Sequence, residues 1–268
     1  MKRRIFAYPY IVWMALFIAA PMVFIFYYAV NIEGSFTLSG AWTVFSNADT
    51  WRSLGDSIVV SLITTLICLL IGYPAAFILS NMKKSTAGLL SVLLVLPMWM
   101  NFVLRTYAWQ AILRDFVPDV LGLSSIMYTD AAVMLGLVYN FLPFMILPLY
   151  TTLSKLDKSY IEAARDLGAN GFVTFFRVVL PLSVPGIVSG ITMVFIPSIT
   201  AFTVPAMLGG GKSELYGNMI ERAFKTLSSD GNYSYGSSLA IVLFILVIVS
   251  TMVMNRMDKN QKEGGQLW

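Results

Sequence analysis

The chain has 268 residues, of which 57% are hydrophobic and 12% are charged, and its mean hydropathy is +0.75. A soluble protein of this size could not hide so much apolar surface in one core. The formal net charge is +4, histidine is absent and Cys68 is the single cysteine, which together exclude disulfide frameworks, His/Cys zinc sites and histidine-based catalytic triads. The composition therefore predicts a membrane protein.

The first apolar stretch, Tyr8–Val30, follows a run of three basic residues. A cleaved signal peptide is the alternative interpretation of such a start. The stretch is longer than the apolar core of a typical signal peptide, and Pro21 stands directly after the small-residue pair where cleavage would be needed. The pattern therefore favours a transmembrane helix.

Five further stretches are long enough to cross a membrane, since about 20 apolar residues span a hydrocarbon core of about 30 Å. They are Ser57–Leu79, Gly88–Trp109, Ala131–Leu153, Leu182–Leu208 and Ser237–Met254. Prolines are concentrated in the third to fifth spans, which favours bent helices around a pathway. We predict an all-α polytopic membrane protein with about six transmembrane helices, in which residues 1–268 form a single domain.

The distribution of lysine and arginine predicts the orientation of these spans. The two termini and the loops after spans two and four lie on one side of the predicted topology. This side carries the basic residues Lys2, Arg3, Arg4, Lys83, Lys84, Lys155, Lys158, Arg165, Arg177, Arg256, Lys259 and Lys262. Its acidic residues are Asp157, Glu162, Asp166, Asp258 and Glu263. Both termini are thus predicted to be cytoplasmic, as an even number of spans requires.

The loop between spans four and five contains the signals of a short helix. Ser159 and Glu162 have the spacing of a capping box, which predicts a helix that begins at Tyr160. Gly168 is predicted to end this helix in the left-handed conformation. A second apolar stretch, 172–180, is predicted to stop at Pro181.

One face of this short helix is formed by Tyr160, Ala163, Ala164 and Leu167, which are spaced three and four residues apart. The two alanines would let another protein approach the backbone closely. A docking element and an ordinary amphipathic surface helix are both compatible with this pattern, and the residue types alone leave the choice open.

The segment from Ala206 to Ser213 matches a permissive form of the phosphate-binding P-loop pattern. A P-loop requires a strand before it and a helix after it, in a compartment that contains ATP. This segment follows a membrane helix and is predicted to emerge on the external side, so we interpret it as a flexible turn. The chain is therefore predicted to have no ATPase activity of its own.

The cytoplasmic loop resembles the coupling-loop motif of binding-protein-dependent ABC importer permeases. The motif is carried by Glu162, Ala163, Ala164, Gly168, Val178, Leu180 and Pro181, with Val178 where the family usually has isoleucine. The resemblance implies a type I ABC importer permease fold, in which the loop 154–181 inserts into a cleft of a nucleotide-binding subunit. The docking residues that it implies are Tyr160, Glu162, Ala163, Ala164, Leu167, Gly168, Leu180 and Pro181.

Other stretches resemble the permeases of spermidine/putrescine importers. They are 71–77, 96–101 with Arg105 and Tyr107, 136–144, 153–167, 207–210 and 217–220. The resemblance implies import of polyamines, and related importers of ferric ion, thiamine and sulfate remain alternatives. An ion-driven secondary transporter is a more distant alternative, because neither intramembrane acids nor internal repeats are visible.

The resemblance also implies the partners of the chain. They are two copies of an ABC ATPase subunit that binds the ATP, a second homologous permease, an extracytoplasmic substrate-binding protein and the lipids of a bacterial inner membrane. It implies neither a cofactor in this chain nor a nucleic-acid partner. The chain is accordingly expected to be a transport subunit and not itself an enzyme.

A flexible organic cation would be held by carboxylates and aromatic rings. The candidate residues of the substrate pathway are Trp99, Asn101, Arg105, Tyr107, Asp130 and Tyr139. Arg105 is the exception, because its charge repels a cation. We expect its side chain to reach the external interface or to pair with an acid.

Overall fold

The computed structural model describes residues 8–32, 35–121, 124–211, 214–230 and 233–264. Its helices are α1 (Tyr8–Met14, Ala15–Ala19 and Ala20–Val30), α2 (Ser39–Ser46), α3 (Ala48–Asn81), α4 (Lys84–Trp99), α5 (Phe102–Ala111, Ile112–Phe116 and Val117–Leu121), α6 (Asp130–Ser154), α7 (Lys158–Asp166), α8 (Gly171–Thr174, Phe175–Val179 and Leu180–Ile199), α9 (Thr203–Leu208), α10 (Tyr216–Asp230) and α11 (Tyr233–Gly264). The middle segments of α1, α5 and α8 are π-helical turns. Strands β1 (Asn31–Ile32) and β2 (Ser35–Phe36) form a short antiparallel hairpin. The basic residues Lys2, Arg3 and Arg4 lie outside the described ranges.

Within these ranges, five helices are long and apolar enough to cross a membrane, and a sixth crossing is formed if the bent pair α4 and α5 counts as one span. This confirms the predicted all-α architecture with about six spans. The third predicted span, Gly88–Trp109, is wrong as a single helix, because it is broken by a bend of 88°. Pro97 lies in the last turn of α4, and Met100 is extended before Asn101 caps the next helix. Proline has no N–H to donate, and an extended residue interrupts the helix. The chain therefore begins a new helix in a different direction.

The fifth predicted span, Leu182–Leu208, is shifted in the structure. The helix begins at Gly171 and continues through Pro181 to Ile199, so the predicted stop at Pro181 is wrong. Pro181 follows the π-helical turn Phe175–Val179, in which the Leu180 N–H bonds the Phe175 carbonyl. We attribute the uninterrupted helix to this wider turn, which accommodates the proline ring.

The core of the molecule lies between α3, α6 and α8, which pack against one another. Two glycines of α8, Gly186 and Gly190, face α6 at a spacing of four residues. A Cβ atom at Gly186 would lie 2.8 Å from the Thr152 Cβ, and one at Gly190 would lie 3.3 Å from the Met145 carbonyl oxygen. Small residues at this spacing let two membrane helices approach closely.

A second, smaller core joins α2, α3, α10 and α11. Tyr216, the first residue of α10, is fully buried there. Its N–H donates to the Ser57 Oγ at 2.7 Å, and its hydroxyl donates to the Leu239 carbonyl at 3.2 Å. These two bonds fix the start of α10 between α3 and α11.

Candidate functional site

The helix α7 lies between two membrane spans and begins two residues earlier than the sequence predicts. Asp157 is its N-cap, and the carboxylate accepts the Ser159 N–H at 3.0 Å. The predicted capping box of Ser159 and Glu162 is therefore wrong, because an aspartate ahead of Ser159 already occupies the capping position. The hydrogen bond from the Ser159 backbone lowers the pKa of Asp157.

We expect Asp157→Ala to speed amide hydrogen exchange in the first turn of α7, because the Ser159 N–H loses its acceptor. Since the pKa of Asp157 is lowered in the folded state, the cap stabilises α7 above the ordinary carboxyl pKa and is lost as the pH falls through the lowered value. The difference in exchange rate between wild type and Asp157→Ala should thus become smaller below about pH 4. The measurement is exchange followed by mass spectrometry.

Asp157→Asn is the matched control, because asparagine caps a helix as well as aspartate without the charge. Slow exchange in Asp157→Asn would assign the effect to the hydrogen bond. Fast exchange equal to that of Asp157→Ala would contradict the capping role and leave only an effect of charge on the helix dipole.

The end of α7 agrees with its prediction. Gly168 has φ +83° and donates its N–H to the Arg165 carbonyl at 2.8 Å. The Ala169 N–H then bonds the Ala164 carbonyl at 3.0 Å. Asn170 caps the next helix by accepting the Val173 N–H at 2.9 Å. The chain thus passes from α7 into α8 through a short connection in which the N–H groups of Gly168 and Ala169 are hydrogen-bonded to carbonyls of α7.

The outward side of α7 carries Tyr160, Ala163, Ala164 and Leu167, which we call the docking face. Tyr160 is 57% exposed and Leu167 is 90% exposed. Ala163 is exposed and Ala164 is half-buried. This side of the helix therefore leaves two large side chains, Tyr160 and Leu167, exposed.

The other predicted docking residues lie elsewhere. Glu162 lines a cavity on the opposite side of α7, beside Lys158 and Arg165. Leu180 packs against the main core, and Pro181 is exposed within α8. The structure therefore groups the four residues of the docking face and separates Glu162, Leu180 and Pro181 from them.

The candidate pathway residues lie around the break between α4 and α5. Trp99 is 79% exposed and Tyr107 is 58% exposed. Asn101 is the N-cap of α5, and its Oδ1 accepts the N–H groups of Val103 at 2.9 Å and Leu104 at 3.3 Å. The two aromatic rings lie on the surface of the chain, whereas the Asn101 oxygen is occupied by the helix that it caps.

Arg105 differs from its prediction. It is only 7% exposed, and its Nε and Nη1 have no hydrogen-bond partner among the described residues. Its guanidinium carbon lies 5.8 Å from the centre of the Phe102 ring. The Arg105 side chain neither reaches the interface nor pairs with an acid among the described residues, so this prediction is wrong. The reason is that the 88° bend before α5 turns this helix onto α6 and α9. A buried guanidinium without full hydrogen bonding is costly, which makes Arg105 a candidate functional position.

A second group of candidates lies on α6. Tyr139 packs edge to face against Trp109, with ring centroids 5.3 Å apart. Asp130 is exposed at the first turn of the helix. Within the described residues, no ring contact joins Trp99 or Tyr107 to the Trp109–Tyr139 pair.

Asn140 is a buried polar residue that sequence reasoning missed. Its Nδ2 donates to the Gly136 carbonyl at 2.8 Å, while its Oδ1 has no partner among the described residues. A carboxamide in the middle of an apolar span is itself a signal of a functional position. The signal in the sequence is that Asn140 is the one carboxamide within the predicted span Ala131–Leu153.

The glycines that resemble a P-loop form a turn after a helix, as predicted. Gly210 has φ +58° and Gly211 has φ +79°, and both follow α9 where a P-loop would require a strand. Lys212 and Ser213 lie outside the described residues.

Comparison with known proteins identifies the family. The model of the binding-protein-dependent transport system inner membrane component matches residues 68–262. The spermidine/putrescine transport system permease protein PotB of Haemophilus influenzae is 44% identical over 218 residues, which cover 78% of this chain and 74% of that protein. PotB of Escherichia coli is 37% identical over 212 residues, which cover 76% of each chain.

Solved structures show the same fold at low sequence identity. A bacterial ABC transporter that imports the acidic polysaccharide alginate superposes with a TM-score of 0.79 at 15% identity, covering 97% of this chain and 96% of that one. The MetNI methionine ABC transporter, in an inward-facing conformation, gives a TM-score of 0.59 at 20% identity, covering 81% and 99%. The chain belongs to the family of inner membrane components of binding-protein-dependent transport systems.

Proposed function

We propose that this chain is one of two homologous permease subunits of an ATP-driven importer of polyamines. The observation that carries the proposal is its 44% identity to a spermidine/putrescine permease over most of both chains. In this importer an extracytoplasmic binding protein delivers spermidine or putrescine, and the permease pair moves it into the cytoplasm. A separate ATPase supplies the energy.

The pathway residues suit weak, transient contact with an organic cation. The faces of Trp99, Tyr107 and Tyr139 attract ammonium groups, and Asp130 adds a negative charge near one end of the pathway. Arg105 opposes tight binding, because its positive charge is buried nearby at the bend of the third span. Selection of the polyamine therefore falls to the binding protein, and the permease provides a path that releases it.

Two copies of the ATPase dock on the two permeases, one on each, and the copy that binds this chain uses the docking face of α7. The exposure of Tyr160 and Leu167 supports this assignment, since it leaves apolar surface for a partner to cover. Glu162 lies on the opposite face of α7, and Gly168 ends the helix. Closure of the ATPase pair pulls α7, and α8 transmits the movement to the core that it shares with α3 and α6.

The excess of lysine and arginine supports a cytoplasmic location for this loop and for both termini. Lys83, Lys155, Lys158, Arg165 and Arg177 belong to loops or helix ends on this side of the molecule. The same orientation places the binding-protein surface at α9, α10 and the bend between α4 and α5.

Uptake of labelled solutes into proteoliposomes tests the proposal. The complex contains this chain, its second permease, the ATPase and the binding protein. We expect ATP-dependent uptake of spermidine or putrescine that requires the binding protein, and no uptake of thiamine, sulfate or ferric ion. Uptake of one of those three solutes without uptake of a polyamine would contradict the substrate assignment.

A further inference from the structure

A cavity of about 460 Å³ lies beneath α7, on the side away from the docking face. It is bounded by α7, the end of α3 and the start of α8. Its lining from α7 is Lys158, Ile161, Glu162 and Arg165, which follow one face of the helix. The docking face lies on the opposite side of α7, and Glu162 is the one residue of the predicted docking set that lines this cavity.

The cavity has an apolar part and a polar part. Phe77, Phe175 and Val179 form an apolar part beside the main core. Asn81, at the end of α3, and Thr174 add polar groups. Such a gradient matches a lipid at the junction of its acyl chains and its headgroup better than it matches a small soluble ion.

The charges of the cavity favour an anion. Lys158 and Arg165 both line it, and neither has an ion-pair partner within the described part of the chain. Glu162 shares the lining and opposes an anion, so the three side chains sum to one positive charge. Lys158 and Glu162 are four residues apart and could pair along the helix, yet they are not joined in the structure.

We propose that this cavity binds the headgroup of an anionic phospholipid from the cytoplasmic leaflet. Lys158 and Arg165 hold the phosphate, and the acyl chains lie against the apolar part of the cavity. Basic pockets between membrane helices on the cytoplasmic side have the chemistry for such headgroups. The inference rests on the proposed orientation of the loop, because only that orientation places the cavity at the cytoplasmic leaflet.

A lipid in this position would support α7 from below while the ATPase covers it from outside. The connection 167–170 is weakly packed, since Leu167, Gly168 and Asn170 are exposed and Ala169 is half-buried. An anionic lipid would therefore reduce the freedom of α7 to tilt against α8, and it would improve the transfer of movement between the ATPase and the membrane helices.

The test uses the complete transporter in nanodiscs of phosphatidylcholine with or without phosphatidylglycerol. Retention of phosphatidylglycerol is measured by native mass spectrometry for wild type, for Lys158→Gln with Arg165→Gln, and for Lys155→Gln. Lys155 is a matched control, because it is an exposed cation of the same loop that does not line the cavity. We expect the double variant to lose at least about tenfold in retention, which corresponds to about 1.4 kcal/mol, and the control to match wild type.

Equal retention by all three proteins would overturn the proposal. Inorganic phosphate is added in a second arm, and if it displaces the lipid completely at near-physiological concentration, a soluble anion is the ligand and the lipid assignment falls. Failure of polyamine uptake would overturn the proposed substrate without affecting lipid retention, so the two failures are distinguishable. Assembly of each variant with the ATPase, measured in the same spectra, shows that the complex is intact.

Discussion

Replacing Gly168 by alanine is expected to lower substrate-stimulated ATP hydrolysis by the assembled transporter about tenfold. Gly168 has φ +83°, and an L-residue in this conformation costs about 1–2 kcal/mol. An added Cβ would meet no atom within 4 Å, so the strain lies in the backbone and not in packing. The strain is relieved if α7 extends or tilts, and a difference of about 1.4 kcal/mol is tenfold in an equilibrium.

Gly171→Ala is the matched control for this experiment. It also adds a methyl group that meets nothing within 4 Å, but Gly171 has no positive φ and begins a helix. The control should retain normal stimulation, and both variants should insert into the membrane at wild-type levels. Normal stimulation in Gly168→Ala would contradict the view that the orientation of α7 couples the two subunits.

Replacing Gly186 by valine is expected to destabilise the permease by about 1–3 kcal/mol, the usual cost of overfilling a packed core. The new Cβ would lie 2.8 Å from the Thr152 Cβ and 3.2 Å from the Pro148 carbonyl oxygen. Neither atom is the end of a flexible side chain, so α6 and α8 must separate. We expect a lower midpoint of thermal unfolding for the purified complex in detergent.

Ser189→Val gives the matched control on the same helix. Ser189 is exposed, so its replacement adds the same side chain at a position that faces away from α6. If the two variants unfold at the same temperature, the close approach at Gly186 is not what limits the packing of α6 against α8.

Hydropathy alone predicted the number of crossings, because a membrane-spanning helix needs about 20 apolar residues and satisfies its backbone hydrogen bonds within itself. It could not predict where the third crossing breaks. The break needs both Pro97 and the extended conformation of Met100, and the two helices together are apolar enough to be taken for one span, so hydropathy does not reveal it. The early start of α8 was missed for a related reason, since a proline normally ends a helix and Pro181 follows a π-helical turn that the sequence does not reveal.

The existence, the end and the exposed face of the short helix α7 were predicted correctly. Its start was wrong, because Ser159 and Glu162 satisfy the capping pattern while Asp157, two residues earlier, forms the actual bond. The burial of Arg105 could not be predicted from the sequence, since it follows from the direction of α5 after the bend. The predicted surroundings of Arg105 were thus wrong because they depend on the angle between two helices.

The uninterrupted length of α8 sets the scale of any motion that the loop can produce. The helix has 29 residues from Gly171 to Ile199, so at 1.5 Å per residue its two ends are about 44 Å apart. A rotation of about ten degrees around the end that follows α7 would displace the opposite end by about 8 Å, which is a little less than the usual distance between two packed helix axes. In the proposed importer, a small rearrangement of the ATPase would therefore be enough to move the opposite end of α8 by nearly the width of a helix, without any part of α8 having to unwind.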